Sequence, residues 1–193
     1  MNHQRAIVDL LYEGYAGRKD HRVAPTVGLI RDRGVVVVVD PGMVPSPAAI
    51  LDPLSALGLA AEDVTDVVFS HHHPDHTLSA ALFVHAAFHD HWATYRHDVW
   101  QDRDAEGFKI SANVSLIRVP GHSNEDIATV ASTEDLVGGK RAELRLSRGC
   151  AHAQLPSGFS ASEEEVDGLG ARRIGVCAGV RWPKYALGIH NDG

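Results

Sequence analysis

Histidine and aspartate are concentrated in one short segment, where they form the pattern His71-x-His73-x-Asp75-His76. Eight of the 13 histidines lie between His71 and His97. On an extended or loop segment, residues two apart project to the same side, so His71 and His73 can bind one metal ion. Asp75 and His76 then turn toward an adjacent ion. Imidazole and carboxylate groups suit zinc or iron better than magnesium or calcium, so the spacing predicts a site for a borderline divalent metal.

A further imidazole, His122, follows another predicted strand, in the segment Pro120-Gly121-His122-Ser123. If this strand is a parallel neighbour of the one before His71, both loops lie at the same sheet edge, where ligands gather in α/β folds. His122 would then complete a three-histidine site with room for water. The alternative is that the cluster is a polar surface loop or an adventitious metal binder. Other histidines could shape the entrance, although such side chains are more often solvated: His85, His89, His91 and His97.

The elements that must position these residues are mostly strands. Alternating apolar residues predict a first strand near residues 7–12. Residues 27–30 and 35–39 are β-branched runs separated by Arg31-Asp32-Arg33-Gly34, which predicts a hairpin. The second run is continuous, which indicates burial on both faces of a sheet. The remaining predicted strands are residues 64–70, which lead directly into His71, and residues 86–88, 114–119 and 127–132.

Two helices are predicted beside these strands. Asp40-Pro41-Gly42 ends the valine strand, and residues 46–58 then predict a helix that Ser46 caps and Gly58 ends. Residues 77–84 are expected to continue from the histidine segment as a second helix. The buried stripe of the first helix would consist of leucines: Leu51, Leu54 and Leu57.

Taken together, these motifs resemble those of the metallo-β-lactamase fold metallo-hydrolases. The resemblance is carried by HHHPDH at 71–76, the preceding VVVVVDPG at 35–42 and PGHS at 120–123, and it covers residues 5–135. In its general features the chain is similar to small metallo-β-lactamase domain-containing proteins and glyoxalase II-like hydrolases. The resemblance implies an α/β fold, the four-layer αβ/βα sandwich, with a metal site at the sheet edges.

The resemblance also implies a role for each residue of the site. The first metal ion would be bound by three imidazoles: His71, His73 and His122. Asp75 and His76 would contribute to the second ion. Asp40 would lie beneath the site and orient a ligand through hydrogen bonds. A simple turn-initiating role is the alternative for Asp40.

The implied chemistry is metal-assisted hydrolysis, with one or two zinc ions that activate water and polarise a carbonyl or phosphoryl oxygen of the substrate. Asp75 would orient that water and could take its proton. The expected substrate is a small ester, thioester, lactone or amide. Two alternatives stay open. One is a mononuclear iron oxygenase of the same fold, similar to persulfide dioxygenases, and the other is a degenerate, non-catalytic metal-binding domain.

The chain departs from the family pattern after about residue 135. Residues 136–193 hold ten of the 18 glycines, and neither the bridging aspartate nor the last histidine of two-metal family members is evident there. We therefore expect a domain core at 1–135 and an atypical Gly-rich tail at 136–193 that could impair activity. A change of reading frame near residue 135 is one explanation of the break.

One segment of the tail could still supply ligands. Ala142, Leu144 and Leu146 alternate as a strand that leads to Cys150, and His190 lies near the end of the chain. A thiolate is a good zinc ligand. The favoured interpretation is an ordinary thiol and a histidine in a frayed terminus.

The composition excludes several classes of protein. The net charge is −7, and no window gathers basic residues, so nucleic acid is not an expected partner. The longest aliphatic run, residues 35–39, is far shorter than the ~18 residues of a membrane span, and no signal peptide is recognised, so a cytoplasmic protein is expected. Cys150 and Cys177 form no CxxC motif. An incomplete sandwich would expose apolar sheet surface and favour pairing with another chain, such as a homodimer.

Overall fold

A computed structural model of the chain describes residues 5–17, 21–137, 140–146 and 172–176, with side chains described as far as Thr133. The strands are β1 (Ile7–Tyr12), β2 (Tyr15–Ala16), β3 (Val23–Ala24), β4 (Val27–Asp32), β5 (Val35–Val39), β6 (Asp66–Val68), β7 (Ala87–His89), β8 (Ala93–Arg96), β9 (Val99–Asp102), β10 (Val114–Arg118), β11 (Ile127–Val137), β12 (Lys140–Leu146) and β13 (Arg172–Val176). The helices are α1 (Ala48–Ala56) and α2 (Pro74–Thr77), and two 3₁₀ turns span Ala61–Asp63 and Ala80–Phe83.

Seven strands form the larger sheet, in the order β1-β4-β5-β6-β7-β8-β9. β5, β6 and β7 run parallel to one another, whereas the other neighbours pair antiparallel. Because parallel strands end at the same edge, the residues that follow β5, β6 and β7 meet there. We call this the site edge, and it carries Asp40, His71 and Asp90.

Four strands form the smaller sheet, in the order β10-β11-β12-β13. β10, β11 and β12 pair antiparallel, and β12 pairs parallel with β13. The alternation at Ala142, Leu144 and Leu146 lies within β12, so the predicted strand is confirmed. The boundary proposed at residue 135 falls inside β11, and the division into two parts stays a prediction.

The larger sheet is buried on both faces, as the continuous valine run predicts. Val36 and Val38 of β5 belong to a core that also contains Ile50 and Leu54 of α1. The alternate residues of β5 belong to a second core, which packs against the smaller sheet: Val37 and Val39 with Val114, Leu116 and Ile127. Full burial of one such side chain contributes about 1.5–3 kcal/mol, so β5 is a main source of stability. The described residues thus form a helical layer and two large sheets, the mixed α/β architecture of the expected sandwich, and β2 and β3 pair in a separate two-stranded sheet.

The turn of the β4–β5 hairpin is shorter than predicted. β4 extends to Asp32, which pairs with Val35, so only Arg33 and Gly34 form the turn. Arg33 has φ +52° and Gly34 has φ +88°. Positive φ at both central residues defines the type I′ turn, whose twist matches that of the flanking strands.

The boundaries of α1 differ from the prediction. The helix begins at Ala48 with Pro47 at the N-cap, and no side chain caps it, so Ser46 does not have the predicted role. Its buried residues are Ile50 and Leu54. Leu57 is exposed because it lies beyond the last helical residue.

The continuous helix predicted at residues 77–84 is not formed: α2 ends at Thr77, and a separate 3₁₀ turn spans Ala80–Phe83. The backbone leaves the helical path to meet the loop after β5, where Ser79 donates from its N–H to Pro41 O at 2.9 Å. The Ser79 hydroxyl also donates to Gly42 O at 2.6 Å. Tertiary hydrogen bonds therefore override the local helical pattern.

The sequence does not predict β8 and β9, which extend the larger sheet through an antiparallel hairpin. All four residues of β9 are exposed, so no apolar alternation marks the strand. Within the described ranges, no helix is long and apolar enough to cross a membrane.

Candidate metal centre

His71 lies three residues beyond the end of β6, at the site edge, and only 2% of it is exposed. Its Nδ1 lies 3.1 Å from the hydroxyl oxygen of Ser70. Its Nε2 is buried, and no described residue offers that atom a hydrogen bond. A buried polar atom without a partner is costly and calls for an explanation such as a bound ion. Nε2 is therefore the atom of His71 that would face a metal.

Asp40 and Ser70 determine which nitrogen of His71 carries the proton. The Ser70 hydroxyl donates to Asp40 Oδ2 at 2.7 Å, and the Ser70 N–H donates to Asp40 Oδ1 at 2.7 Å. Because the hydroxyl proton is committed to Asp40, Ser70 Oγ can only accept from His71 Nδ1. Nε2 is then left with the lone pair that metal binding requires.

Burial also keeps His71 uncharged. Desolvation is the largest influence and the neighbouring His76 imidazole the next, and together they lower the pKa of His71 to about 4 against the opposing effect of Asp40. The imidazole is therefore neutral near pH 7, and no proton has to leave before a metal ion binds.

The structure brings His71, His73 and His122 together. One ligand nitrogen from each residue lies within 4.8 Å of the other two, and His122 Nε2 is 3.0 Å from His73 Nδ1. Two nitrogens bound to one tetrahedral zinc ion are about 3.3 Å apart, so the three imidazoles fit a single ion of that size. His71 is buried, His122 half-buried and His73 exposed, so the group is accessible from one side.

Asp126 holds the loop that carries His122. Its Oδ2 accepts the N–H groups of His122 at 2.7 Å and Ser123 at 3.0 Å, and its Oδ1 accepts the Ser123 hydroxyl at 2.6 Å. The neighbouring Ile127 N–H donates to Ser70 O at 2.9 Å, which joins the two sheets beside the site. The His122 loop is thus positioned by a buried carboxylate.

The reason given for the approach of His122 needs correction. Its strand, β10, is not a parallel neighbour of β6 but belongs to the smaller sheet, where it pairs antiparallel with β11. His122 reaches His71 because the two sheets face each other and their loops meet at one end of the sandwich. The predicted proximity holds, although the strand arrangement assumed for it is wrong.

Asp75 and His76 lie in α2, beside the three-histidine group, and both are buried. His76 Nε2 is 3.4 Å from Asp75 Oδ2, and the His76 ring lies 4.2 Å from the His71 ring. His76 Nδ1 is 3.0 Å from Asp40 Oδ2, so Asp40 orients His76 directly and His71 through Ser70. The assignment of Asp75 and His76 to a second ion stays a prediction.

The loop after β5 packs directly against α2. A Cβ atom at Gly42 would lie 1.6 Å from Asp75 O, so only glycine fits there. The close approach allows Met43 N–H to donate to Asp75 O at 2.9 Å. Asp40, at the start of this loop, has φ +55°, a conformation that aspartate tolerates better than most residues. The Asp-Pro-Gly motif therefore positions Asp40 and α2 together.

The other histidines lie outside the three-histidine group. His89 is buried, with Nε2 at 2.7 Å from Asp66 Oδ1 and Nδ1 at 3.0 Å from Thr94 Oγ1, which is a structural arrangement. His85 and His97 are exposed, and His91 is half-buried. Cys150 and His190 lie outside the described residues.

The sequence analysis missed three residues that support the site. Neither Ser70, which adjoins His71, nor Asp126 carries a sequence signal for the supporting role described above. The third is Asp90, whose Oδ2 lies 3.0 Å from His72 Nε2 and whose Oδ1 accepts the N–H groups of Trp92 and Ala93 at 2.7 and 2.8 Å. Asp90 therefore anchors His72 between the candidate ligands His71 and His73. Its position two residues after the strand predicted at residues 86–88 was the available signal.

Comparison with known proteins gives a family match. The family model of the metallo-β-lactamase superfamily matches residues 22–166. No curated protein matches the chain.

Several solved structures share the fold. A Thermotoga maritima protein described provisionally as a metallo-β-lactamase has a TM-score of 0.58 and 20% identity over 75% of this chain and 82% of its own. MEM-A1, a subclass B3 metallo-β-lactamase from a soil metagenome library, has a TM-score of 0.55 and 17% identity over 91% of this chain and 79% of its own. A subclass B3 metallo-β-lactamase of Bradyrhizobium japonicum has a TM-score of 0.51 and 18% identity over 72% of this chain and 61% of its own. At these identities the likeness shows the fold alone.

Proposed function

Because the chain belongs to the metallo-β-lactamase superfamily, we propose that it is a zinc-dependent hydrolase of a small ester, thioester, lactone or amide. The observation that carries the proposal is the convergence of His71, His73 and His122, with the buried Nε2 of His71 lacking a hydrogen bond from any described residue. Three imidazoles that converge on one point are a donor set that zinc favours.

The residues around the three imidazoles have separable roles. When bound, a divalent ion lowers the pKa of a coordinated water and polarises the oxygen of a substrate carbonyl. Asp75 is buried beside the group and supplies a carboxylate that orients a water molecule and takes its proton. Asp40 and Ser70 hold His71 in the tautomer that leaves Nε2 unprotonated. Asp126 holds the loop of His122.

An iron oxygenase of the same fold is the second candidate. The observation that supports it is that the metal-binding group found among the described residues is a three-ligand group of a size that fits one ion. Such a set also suits iron. Activity after loading with each metal separates the two candidates, since a hydrolase with zinc cleaves esters without oxygen.

The proposed function is tested by hydrolysis of 4-nitrophenyl and thioester substrates by the zinc-loaded chain, compared with an Asp75→Asn variant. We expect the variant to lose about 100-fold in kcat, because the proton acceptor is removed while the imidazoles stay. Asp52→Asn is the matched control, since Asp52 is exposed on α1. Equal rates for the wild type and Asp75→Asn, or no hydrolysis by a folded, zinc-loaded chain, would contradict the proposal.

A further inference from the structure

Arg103 has a guanidinium group that the described residues do not satisfy. Its Nε donates to Thr94 Oγ1 at 3.2 Å, but Nη1 and Nη2 are buried and make no hydrogen bond with any described residue. The guanidinium carbon lies 4.4 Å from the centroid of the Phe108 ring. Burial lowers the pKa of Arg103, against the opposing effects of Asp90 and Asp104. The group nevertheless stays charged near pH 7, so its two terminal nitrogens are desolvated donors for which the described part of the chain offers no acceptor.

The neighbouring carboxylates are already used by other groups. Asp90 accepts the backbone N–H groups that follow it and contacts the His72 imidazole. Asp104 pairs with Arg118 Nη2 at 2.7 Å and accepts the N–H of Glu106 at 2.9 Å. No hydrogen bond joins Arg103 to either carboxylate among the described contacts. The acceptor for Nη1 and Nη2 of Arg103 must therefore come from outside the described residues.

The position of Arg103 relates it to the candidate metal centre. Arg103 is the first residue after β9, which runs parallel to β7, so it lies at the site edge with His71. Its N–H donates to Trp92 O at 2.7 Å. The Trp92 ring stacks on the His72 ring, with centroids 5.6 Å apart, and His72 lies between two of the candidate ligands.

A second polar atom without a hydrogen-bond partner among the described residues lies in the same region. His91 Nδ1 is buried and has no hydrogen-bond partner among the described residues. His91 precedes Trp92 in the chain. The pKa of the Asp104 carboxyl is lowered, most of all by the Glu106 N–H and to a smaller extent by His91. His91 therefore lies near the residue that follows Arg103. Two side chains with nitrogen atoms that no described residue pairs, Arg103 and His91, therefore lie in adjoining segments of one sheet edge, and Arg103 is the charged one.

We propose that Arg103 binds an oxyanion group of the substrate, so that the enzyme prefers esters, thioesters, lactones or amides that carry a carboxylate. A guanidinium with two free terminal nitrogens matches a carboxylate through two parallel hydrogen bonds. The inference rests on the proposed hydrolase function, since it names the substrate class of that site. The face of the Arg103 guanidinium packs on the Phe108 ring, whereas its two Nη atoms contribute recognition.

The proposal is tested with two esters of equal acyl length, 4-nitrophenyl hexanoate, which is neutral, and the 4-nitrophenyl monoester of adipate, which carries a carboxylate. Arg103→Met keeps the unbranched stem and removes the charge. We expect it to lower kcat/KM for the adipate ester by at least about tenfold, mainly through KM, and to leave the hexanoate ester within about twofold. Arg96→Met is the matched control, since Arg96 is exposed and bonds only to His85 O among the described contacts. It should change neither rate.

Other results would overturn the proposal. An equal loss for both esters would make Arg103 purely structural, and no loss for either would remove it from recognition. If Arg103→Met does not fold, Arg103→Lys keeps a charge without the two-point geometry and should still weaken the adipate ester selectively.

Failure of the hydrolase function can be told apart from failure of this inference. If the wild type cleaves neither ester, thermal unfolding with added adipate or inorganic phosphate tests the anion site alone. A rise in Tm with adipate in the wild type, absent in Arg103→Met, would support a carboxylate site. A rise with phosphate only would mean that Arg103 binds a free inorganic anion and not a substrate carboxylate, which would overturn the proposal. No rise with either anion would overturn it as well.

Discussion

Asp40 is the residue on which the protonation of the candidate metal centre depends. Its carboxylate accepts the Ser70 hydroxyl and N–H and contacts His76 Nδ1, so it sets the tautomers of His71 and His76 together. A carboxylate that only accepts hydrogen bonds leaves the Nε2 atoms unprotonated. Only 2% of Asp40 is exposed. An aspartate that served only to begin a turn would not need to be buried in this way.

Asp40→Asn should therefore weaken metal binding more than it weakens the fold. Asparagine has nearly the same shape and tolerates the positive φ at this position. Its amide oxygen would accept from Ser70 N–H, and its NH₂ group would face His76 Nδ1, which must then accept and leave Nε2 protonated. We expect metal affinity to fall about 10- to 100-fold, measured by titration against a chelator. Asp52→Asn is the control, and equal affinity for all three proteins would contradict this role.

The depressed pKa of His71 predicts how the metal-free chain responds to acid. In the unfolded chain this imidazole titrates near pH 6.5, whereas in the folded chain its pKa is about 4. Between these pH values the unfolded chain therefore binds a proton more readily than the folded chain does. The part of the free energy of unfolding that is present above about pH 6.5 is lost as the pH falls. The shift corresponds to about 2 kcal/mol lost at pH 5. Urea unfolding at a series of pH values should show a smaller loss for His71→Gln, and identical pH dependence would contradict the assignment.

At the scale of elements, the loop after β5 and the short helix α2 form one positioning unit. Gly42 lets the two backbones touch, and Met43 N donates to Asp75 O in α2. Two more hydrogen bonds join the loop to Ser79, just after α2: Ser79 N to Pro41 O and Ser79 Oγ to Gly42 O. The unit joins Asp40 to Asp75 and His76. This contact also explains why α2 is short.

Gly42→Ala should disrupt this unit, because its Cβ would lie 1.6 Å from Asp75 O, a backbone atom that cannot move alone. We expect a loss of at least about 2 kcal/mol in the free energy of unfolding, measured by urea denaturation, together with weaker metal binding. Gly121→Ala is the matched control, since the nearest atom to its Cβ would be Val119 O at 3.9 Å. Similar stability for the two variants would contradict the account.

At the scale of the whole molecule, local patterns predicted the elements better than their arrangement. The valine run of β5 and the turn signal at Gly34 predicted a buried hairpin, because both act through neighbouring residues. The convergence of His122 with His71 was predicted, but the assumed sheet was wrong, since strand pairing depends on contacts distant in sequence. β9 was missed because its exposed residues lack alternation. Ser70 and Asp126 were missed because their roles follow from hydrogen bonds across the sandwich.

The central claim is that His71, His73 and His122 hold a metal ion, and metal content by elemental mass spectrometry tests it most directly. The account predicts at least about one zinc per folded wild-type chain after loading and dialysis. The double variant His71→Ala/His73→Ala should retain almost none, while His85→Ala, an exposed histidine outside the group, should match the wild type. A folded wild type without metal, or equal metal in the double variant, would contradict the account.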